Sequence, residues 1–531
     1  MDVSKAVPTE AAQSGSYEFW LHDAKTFSVT WELVPGRGAF EKAQQDVIDA
    51  ATKATASGRV HAVTITDNPG GNPAISAEML GAEIRRLGIE PLVHLTCKDK
   101  NRNQLESLLY GLARANVRNL LVMTGDFPKA GYGGAPKPVF DLDSITLLGL
   151  ISELNNGREV PKPGGKRTLK AANFFAGGVA SPFKALEAEQ MGQYYKLRKK
   201  LVAGARFIVS QLGFDARKIH ELLEVVKLLG FGSIPVVGNI YLLPLSSAKL
   251  MNRNGLPGCV VPDKLLRDVQ AAARSADKGK GKRLERAAKM YALLKGMGYA
   301  GAHISGHGMT FPDLLEVIDH GEELSQRWPE FVHEFDYPQE NGWYFFERDE
   351  KTGLNATTPA PREARSTGGI VYSAFRVLHH LAFTKEGALF RPMRVLAKSV
   401  DGTALESPYT KCEQIIKGLT NDCRHCGDCA MLDLAYLCPM SQCAKNQRNG
   451  PCGGSREGWC EVHPKQRKCI YVLAYERLKA YGADQLLGED LVPPLNYDLN
   501  ETSSWINFYL GRDHSAPKLK IETVARKKNP R

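Results

Sequence analysis

Nine of the eleven cysteines of this chain fall between Cys412 and Cys469, and their spacing is the first indication of chemistry. Thiolates this close together either form disulfides or bind metal, and a reducing compartment favours metal. The C-x2-C-x2-C triplet that begins at Cys423 suits an iron–sulfur cluster whose fourth ligand comes from farther along the chain. Eight cysteines are the predicted metal ligands: Cys423, Cys426, Cys429, Cys438, Cys443, Cys452, Cys460 and Cys469.

The number of these cysteines favours iron–sulfur clusters over zinc. Two [4Fe–4S] clusters require eight thiolates, which leaves Cys412 without a ligand role. Structural zinc sites tend to use separated pairs of cysteines, so zinc stays open as the metal for part or all of this region. Cys438 precedes a proline, as in bacterial ferredoxins, but at a wider interval from the triplet. We therefore predict one or two [4Fe–4S] clusters, with zinc as the alternative and the connectivity open.

A single carboxylate closes the first apolar run of the chain. Glu32 lies between Trp31 and Leu33, and desolvation by such neighbours raises the pKa of a carboxyl group, which suits a general acid. A salt-bridged residue at the rim of the fold is the plainer interpretation of the same position. His94 and Asp126 stand at the ends of two later apolar runs.

Short β-rich runs alternate with amphipathic helical stretches between residues 27 and 320. Eight such units predict an α/β fold of the (β/α)8 TIM-barrel type, followed by a small cysteine-rich metal-binding domain. A doubly wound open sheet would show the same alternation with fewer strands. The predicted strands are Phe27–Val34, Val60–Thr66, Pro91–Thr96, Asn119–Thr124, Leu169–Phe174, Arg206–Gln211, Ile234–Tyr241 and Gly301–Ser305.

Polar side chains collect where these strands are predicted to end. In a barrel the carboxyl ends of the strands share one face, and that face usually carries the chemistry. Loops are polar in any case, so no single position decides the matter, but the joint pattern favours a site. The residues are Glu32, Thr64, Thr66, Asp67, His94, Thr124, Asp126, Asn173, Gln211, Asn239, His303 and His307.

Length and composition indicate how the chain is divided into segments. We divide the 531 residues into an N-terminal extension, a barrel, a linker with a helical segment, a cysteine-rich domain and a basic C-terminal tail, at 1–26, 27–325, 326–400, 401–490 and 491–531. The sequence shows no signal peptide and no apolar run of membrane-spanning length, so we expect a cytoplasmic protein without a membrane span. A net charge of +11 fits a polyanionic partner, but basic and aromatic residues do not alternate along one stripe, so no nucleic acid is expected.

Residues 27–310 resemble methylenetetrahydrofolate reductase. The cysteine-rich region is similar to the C-terminal metal-binding domain found with some bacterial members of that family. The likeness rests on the Glu32 strand, Val63-Thr64, His94-Leu95-Thr96-Cys97, Gly125-Asp126-Phe127-Pro128, Lys199-Lys200 ahead of Ala203-Gly204-Ala205, and Ser210-Gln211 ahead of Phe214-Asp215.

The resemblance implies a barrel that uses FAD to reduce 5,10-methylenetetrahydrofolate to 5-methyltetrahydrofolate. Glu32 would be the general acid that opens the five-membered ring, and Asp126 would act beside the flavin and the folate. Gln211 would bind the pterin of the tetrahydrofolate substrate. The residues implied to hold FAD are Thr64, His94, Thr124, Gly125, Asp126 and Lys200.

The resemblance leaves the electron donor open. Leu212 and Gly213 follow Gln211 where the family usually has aromatic residues, which argues against direct use of NAD(P)H. Electrons would then enter through the clusters from ferredoxin or another electron-donor protein. We also expect a homo-oligomer. Two other functions fit parts of the chain: a folate-dependent methyltransferase with a structural zinc domain, and a basic zinc-containing nucleic-acid binder in which the barrel has no role.

Overall fold

The computed structural model describes residues 13–362 and 368–526, which form two compact units. The first unit contains the described residues up to Arg362 together with Cys452–Glu457, and the second contains residues 368–451 and 458–526. The predicted linker at 326–400 is therefore divided between the units. Its first part packs on the barrel, where Tyr344 donates a hydrogen bond to Asp215. A short antiparallel hairpin follows Tyr344 in the chain. Residues 363–367 of that linker lie outside the described residues.

The first unit confirms the predicted (β/α)8 barrel. Eight parallel strands close on themselves in the order β1-β10-β9-β8-β7-β4-β3-β2, and two antiparallel hairpins, β5–β6 and β11–β12, stand apart from them. The strands are β1 Ser28–Leu33, β2 Ala62–Ile65, β3 Glu90–Thr96, β4 Asn119–Met123, β5 Glu159–Lys162, β6 Gly165–Thr168, β7 Phe175–Ala180, β8 Ile208–Ser210, β9 Val236–Tyr241, β10 Gly301–Ser305, β11 Phe346–Arg348 and β12 Asn355–Pro359.

Helices of this unit surround the barrel, and several begin with a side-chain cap. Asn101, Asp143 and Asp215 each accept hydrogen bonds from the first turn of the helix that follows, which fixes where that helix starts. The helices are α1 Tyr17–His22, α2 Lys42–Ser57, α3 Ala77–Arg86, α4 Arg102–Arg114, α5 Ser144–Asn155, α6 Glu187–Val202, α7 Ala216–Leu228, α8 Leu245–Asn252, α9 Asp263–Ala272, α10 Lys280–Met297 and α11 Phe311–Leu324.

The fifth barrel strand differs from the prediction. The run Leu169–Phe174 is not a strand, and its place is taken by β7, which begins at Phe175. The strand was missed because it contains two adjacent glycines, which weaken a strand pattern. Packing requires the first of them: a Cβ on Gly177 would lie 2.4 Å from the ring of Phe207. Asn173 consequently precedes β7, at the amino end of the barrel rather than at the face predicted for the site.

An apolar plug closes the amino-terminal end of the barrel. Tyr17 of α1 is fully buried and makes edge-on ring contacts with Phe175 and Phe207 at the start of the fifth and sixth barrel strands. Residues 13–26 are thus part of the barrel unit rather than a separate extension, while residues 1–12 lie outside the described residues. Because this end is filled with apolar side chains, a polar site has room only at the opposite end.

The second unit is helical around the cysteine-rich loops. Its helices are α12 Ile370–Leu378, α13 Phe390–Val400, α14 Glu406–Asn421, α15 Pro439–Gln442, α16 Ile470–Lys479, α17 Ser504–Tyr509 and α18 Ala516–Leu519. The predicted basic tail at 491–531 is wrong as far as residue 526, because Phe508, Tyr509 and Ile521 are buried in one core with Phe390 and Val400. Residues 527–531 lie outside the described residues. No helix in the described part of the chain is long and apolar enough to cross a membrane.

Candidate functional site

The carboxyl ends of three barrel strands bring together one carboxylate and two imidazoles. Glu32 of β1, His94 of β3 and His303 of β10 each contribute an atom to a group in which all three atoms lie within 4.8 Å of one another. Nε2 of His303 is 3.9 Å from Oε2 of Glu32 and 3.2 Å from Oγ1 of Thr64 on the intervening strand. The predicted residues Glu32, Thr64 and His94 therefore meet at one place, and His303 joins them.

Burial controls the protonation of this group. Desolvation raises the pKa of Glu32 to about 7, although its side chain keeps 24% of its exposure to solvent. Desolvation also lowers the pKa of His94 to about 4 and that of His303 to about 3, with a further decrease for His303 from its proximity to His94. Near neutral pH both imidazoles are uncharged, and Glu32 exchanges between its acid and its ionised form. Such a carboxyl group can donate a proton.

The same three side chains could also hold a metal ion. Two histidines and one carboxylate form a ligand set that several divalent transition metals accept, and neutral imidazoles have free electron pairs for it. A bound cation would keep Glu32 ionised and remove its capacity to act as an acid. The arrangement thus permits two uses of Glu32 that exclude each other.

Asp126 lies in the loop that follows β4 and fixes a neighbouring turn. Its Oδ2 accepts a hydrogen bond of 2.9 Å from the backbone N–H of Gly70. The two loops approach so closely that a Cβ on Gly71 would lie 2.2 Å from the carbonyl oxygen of Phe127. Gly125 has a φ of +87°, and a Cβ there would lie 2.9 Å from Cβ of Thr96. A residue with a side chain in place of Gly125 would therefore disturb the backbone conformation of the Gly125-Asp126 motif.

Cys259 lies close enough to charged residues of several loops for them to shift the pKa of its thiol. Burial, together with the negative charges of Asp126 and Glu32, raises the pKa of the Cys259 thiol to about 12, while Lys184 acts in the opposite direction. Glu32, Asp126 and Lys184 are thus all close enough to Cys259 to influence its proton. Lys184 follows β7 and was not predicted, because no motif or strand end marks its position.

Several buried polar atoms at this end of the barrel have no hydrogen-bond partner among the described residues. Most buried polar groups in folded proteins are paired, so unpaired ones near the strand ends are available to bind a ligand. The set fits a polar cofactor or substrate bound over the strand ends. These atoms are Oγ1 of Thr66, Nε2 of His94, Oγ of Ser181, Oδ1 of Asn239 and Nδ1 of His303.

The remaining predicted residues lie in two places, Thr124 and Gln211 at strand ends and Lys200 on a helix. Thr124 is buried at the end of β4, with Nζ of Lys196 3.5 Å from its hydroxyl. Gln211 follows β8, and its side-chain oxygen accepts a hydrogen bond of 2.8 Å from the N–H of Leu212. Lys200 lies on α6 behind the strands and donates to the backbone carbonyl of Val179. Burial and the nearby Lys196 lower the pKa of Lys200 to about 7.

In the second unit, four of the predicted cysteines line one cavity. Cys423, Cys426, Cys429 and Cys438 all line the same cavity, which opens in part to solvent. The ammonium of Lys417 lies 3.3 Å from Sγ of Cys429, 2.7 Å from Oγ of Ser504 and 3.4 Å from Glu413. Burial would lower the pKa of Lys417, but Cys429 and Glu413 raise it. A positive charge is therefore held against one of the four sulfurs.

The other four cysteines divide between the units. Cys443, Cys460 and Cys469 lie close enough to influence one another's thiol pKa, and burial raises the pKa of Cys469 to about 12. Cys452 belongs to the first unit. Tetrahedral zinc with Zn–S bonds of about 2.3 Å holds its sulfurs about 3.8 Å apart. The tight three-ligand group found in the described chain is the one at Glu32, and the cysteines form none of that kind.

A buried charge network supports the first cysteine loop. Asp428 lies between Cys426 and Cys429 and pairs with His514 and with Arg448. Burial would lower the pKa of His514, but its hydrogen bonds to Asp428 and Asp433 raise it to about 9. The loop is thus held by charges from sequence-distant segments, which the cysteine spacing could not indicate.

Two family models match the chain. Residues 20–306 match the model described as methylenetetrahydrofolate reductase, and residues 403–498 match the one described as methylene-tetrahydrofolate reductase C terminal. The first covers more than half of the chain and spans the barrel up to the end of β10. The second contains all eight predicted cysteine ligands.

Curated relatives are more distant. A 5,10-methylenetetrahydrofolate reductase from Pectobacterium carotovorum is 25% identical over 169 residues, which is 32% of this chain and 48% of that protein. Methylenetetrahydrofolate reductase 2 from Schizosaccharomyces pombe is 24% identical over 193 residues, 35% of this chain and 28% of that protein. The chain thus spans half or less of the length of these relatives. Among solved structures, a Clostridium thermocellum protein that binds 5-methyl-5,6,7,8-tetrahydrofolic acid shares 12% identity over 57% of this chain and 95% of its own, with a TM-score of 0.38, too low to support an argument.

Proposed function

This chain belongs to the methylenetetrahydrofolate reductase family, and we propose that it reduces 5,10-methylenetetrahydrofolate to 5-methyltetrahydrofolate with bound FAD. The observation that supports this reaction best is the state of Glu32. A carboxyl group with a pKa of about 7, beside two uncharged imidazoles, is available as an acid at neutral pH.

Glu32 would supply the proton that opens the five-membered ring of the substrate. The bond between the one-carbon unit and one ring nitrogen breaks, that nitrogen takes the proton, and the one-carbon unit becomes an iminium ion. Glu32 is left ionised, and its partial exposure lets it regain a proton from solvent. His303 and His94 carry no charge that would stabilise the ionised form, so the acid form is restored readily near pH 7.

FAD, when bound and reduced by the electron donor, would supply the hydride that converts the iminium carbon to a methyl group. The unpaired atoms of His94 and Thr66 fit a polar ring system over the strand ends. We expect Thr64, His94, Thr124, Gly125 and Asp126 to hold the cofactor, and Gln211 to hold the pterin. Lys200 lies behind the strands, so its proposed contact would be with a part of the cofactor remote from the reacting atoms.

The cysteines would bring electrons to the barrel. The cavity lined by Cys423, Cys426, Cys429 and Cys438 suits a [4Fe–4S] cluster, because each sulfur binds a different iron and the sulfurs need not be as close as around zinc. Cys443, Cys460 and Cys469, which lie near one another in the same unit, would contribute to a second cluster. Ferredoxin, another electron-donor protein and NAD(P)H are the candidate donors, and zinc remains the alternative metal.

Anaerobic purification followed by one spectrum and one mixing experiment tests this function. We expect flavin bands with a broad iron–sulfur absorption, bleaching by dithionite-reduced ferredoxin, and return of the flavin bands with formation of 5-methyltetrahydrofolate when 5,10-methylenetetrahydrofolate is added. NADH and NADPH in parallel samples identify the donor. A barrel that binds tetrahydrofolate but carries no flavin would contradict the proposal and favour a folate-dependent methyltransferase.

A further inference from the structure

The loop Cys452–Glu457 lies among the cysteines in the sequence but is part of the barrel unit in the structure. It reads Cys-Gly-Gly-Ser-Arg-Glu, and glycines at its second and third positions let its backbone approach other groups closely. Ser455 is buried, with 3% of its surface exposed. A segment with so little side chain is held mainly through its backbone, and the groups that bind that backbone determine its position.

Lys184 is the principal group that holds this loop. Its side chain is buried, and its ammonium donates hydrogen bonds of 2.5 Å to the carbonyl of Gly453 and 2.6 Å to that of Ser455. A buried ammonium requires such acceptors, and hydrogen bonds from a charged donor are stronger than neutral ones. Two carbonyls separated by one residue are thereby fixed to the segment that follows β7.

Two further contacts fasten the ends of the same loop. Nε2 of Gln193 on α6 donates to the carbonyl of Cys452 at 3.0 Å, and Nη1 of Arg456 donates to the carbonyl of Asn252 at 3.1 Å. The loop is therefore anchored at both ends and in the middle. Lys184 and Gln193 bind its backbone, and its own Arg456 binds a backbone carbonyl of the barrel unit.

The place where the loop is held is the polar end of the barrel. A Cβ on Gly258 would lie 3.2 Å from the carbonyl oxygen of Gly453 and 3.3 Å from Nε2 of Gln211. The next residue, Cys259, is the thiol influenced by Glu32, Asp126 and Lys184 together. The loop thus borders Gln211, the residue predicted to bind the pterin.

We infer that Lys184 is a positioning residue that fastens the loop Cys452–Glu457 at the mouth of the barrel, so that this loop lies beside Gln211. The role of Gln211 in binding the pterin rests on the proposed function, whereas the anchoring of the loop does not. Folate binding at Gln211 then depends on the position of this loop.

Hydrogen exchange on the full-length protein tests the anchoring directly. In Lys184→Met, we expect the backbone amides of residues 452–457 to exchange about tenfold faster or more, because local opening of the loop becomes easier. Lys218→Met is the matched control, since Lys218 is another buried lysine of the barrel unit and donates to the carbonyl of Trp343 and to Glu221. Gln193→Leu, which removes one contact, should give a smaller increase confined to the start of the loop.

Folate affinity gives the second measurement. Lys184→Met should bind 5-methyltetrahydrofolate about tenfold more weakly than the wild type, with flavin content unchanged, because the loop beside Gln211 is held less firmly. Exchange at 452–457 that is equal in wild type, Lys184→Met and Lys218→Met would overturn the inference. A wild-type protein without flavin or iron would instead refute the proposed function, and the exchange comparison would still decide the role of Lys184.

Discussion

The barrel mouth and the first cysteine cavity have opposite effects on the charge of the side chains that line them. At the mouth, desolvation is the largest influence on Glu32, His94 and His303, so the pKa of Glu32 rises and those of the imidazoles fall. At the cavity, Lys417 is held against the sulfur of Cys429. The first environment suppresses charge and suits proton transfer, whereas the second compensates negative charge and suits thiolates that carry a metal cluster.

The largest expected effect tests the barrel side of this comparison. Glu32→Gln should slow the reduction of 5,10-methylenetetrahydrofolate by about 10²–10⁴-fold, because the amide cannot donate the proton that opens the ring. FAD content and reduction of the flavin by dithionite should stay at the wild-type level. Single-turnover stopped flow on the reduced protein measures the step, with Glu41→Gln, an exposed carboxylate after the same strand, as the control. A rate within a factor of three of wild type would remove Glu32 from the mechanism.

On the cysteine side, the comparison predicts a change of composition. Cys429→Ser should reduce bound iron from about eight to about four atoms per chain, since a [4Fe–4S] cluster requires four thiolates. Cys412→Ser is the matched control, because that thiol is exposed and lies outside the predicted ligand set. Iron and zinc analysis by mass spectrometry measures both variants. Loss of about one zinc with no change in iron would show that the cavity is a zinc site.

A smaller effect is expected when only the positive charge of Lys417 is removed. Lys417→Met should make the potential of the first cluster more negative, because the reduced cluster loses a positive charge at hydrogen-bonding distance from Cys429. A hydrogen bond to a charged group contributes about 1.5–3 kcal/mol, which corresponds to roughly 65–130 mV for one electron. Potentiometric titration followed by electron paramagnetic resonance measures it, with exposed Lys411→Met on the same helix as the control. Equal potentials in the two variants would show that Lys417 serves packing only.

Sequence alone predicted features that depend on local spacing. The cysteine triplet and Cys438 are within sixteen residues of one another, and the structure brings them to one cavity. Glu32 and His94 were predicted because apolar runs end at them and because parallel strands of a barrel end on one face. These inferences needed only the periodicity of strands and the ligand spacing of metal sites.

Features that depend on packing between distant segments escaped prediction. Lys184 meets its acceptors in a loop some 270 residues later, and His514 reaches Asp428 across 86 positions. The fifth strand was misplaced because Gly177 is required by the ring of Phe207, a contact that its own neighbours in the sequence do not show. The segment from residue 491 onward was predicted to be a basic tail, but its aromatic residues Phe508 and Tyr509 complete a core.

The pH dependence of the folate half-reaction tests the central claim most directly. Because burial raises the pKa of Glu32 to about 7 and the protonated form is the active one, the single-turnover rate should be constant below pH 6 and fall about tenfold per pH unit above pH 8. In Glu32→Gln the remaining slow rate should lose this dependence. A wild-type rate that stays level from pH 6 to pH 9, or that rises with pH, would contradict the assignment of Glu32 as the acid.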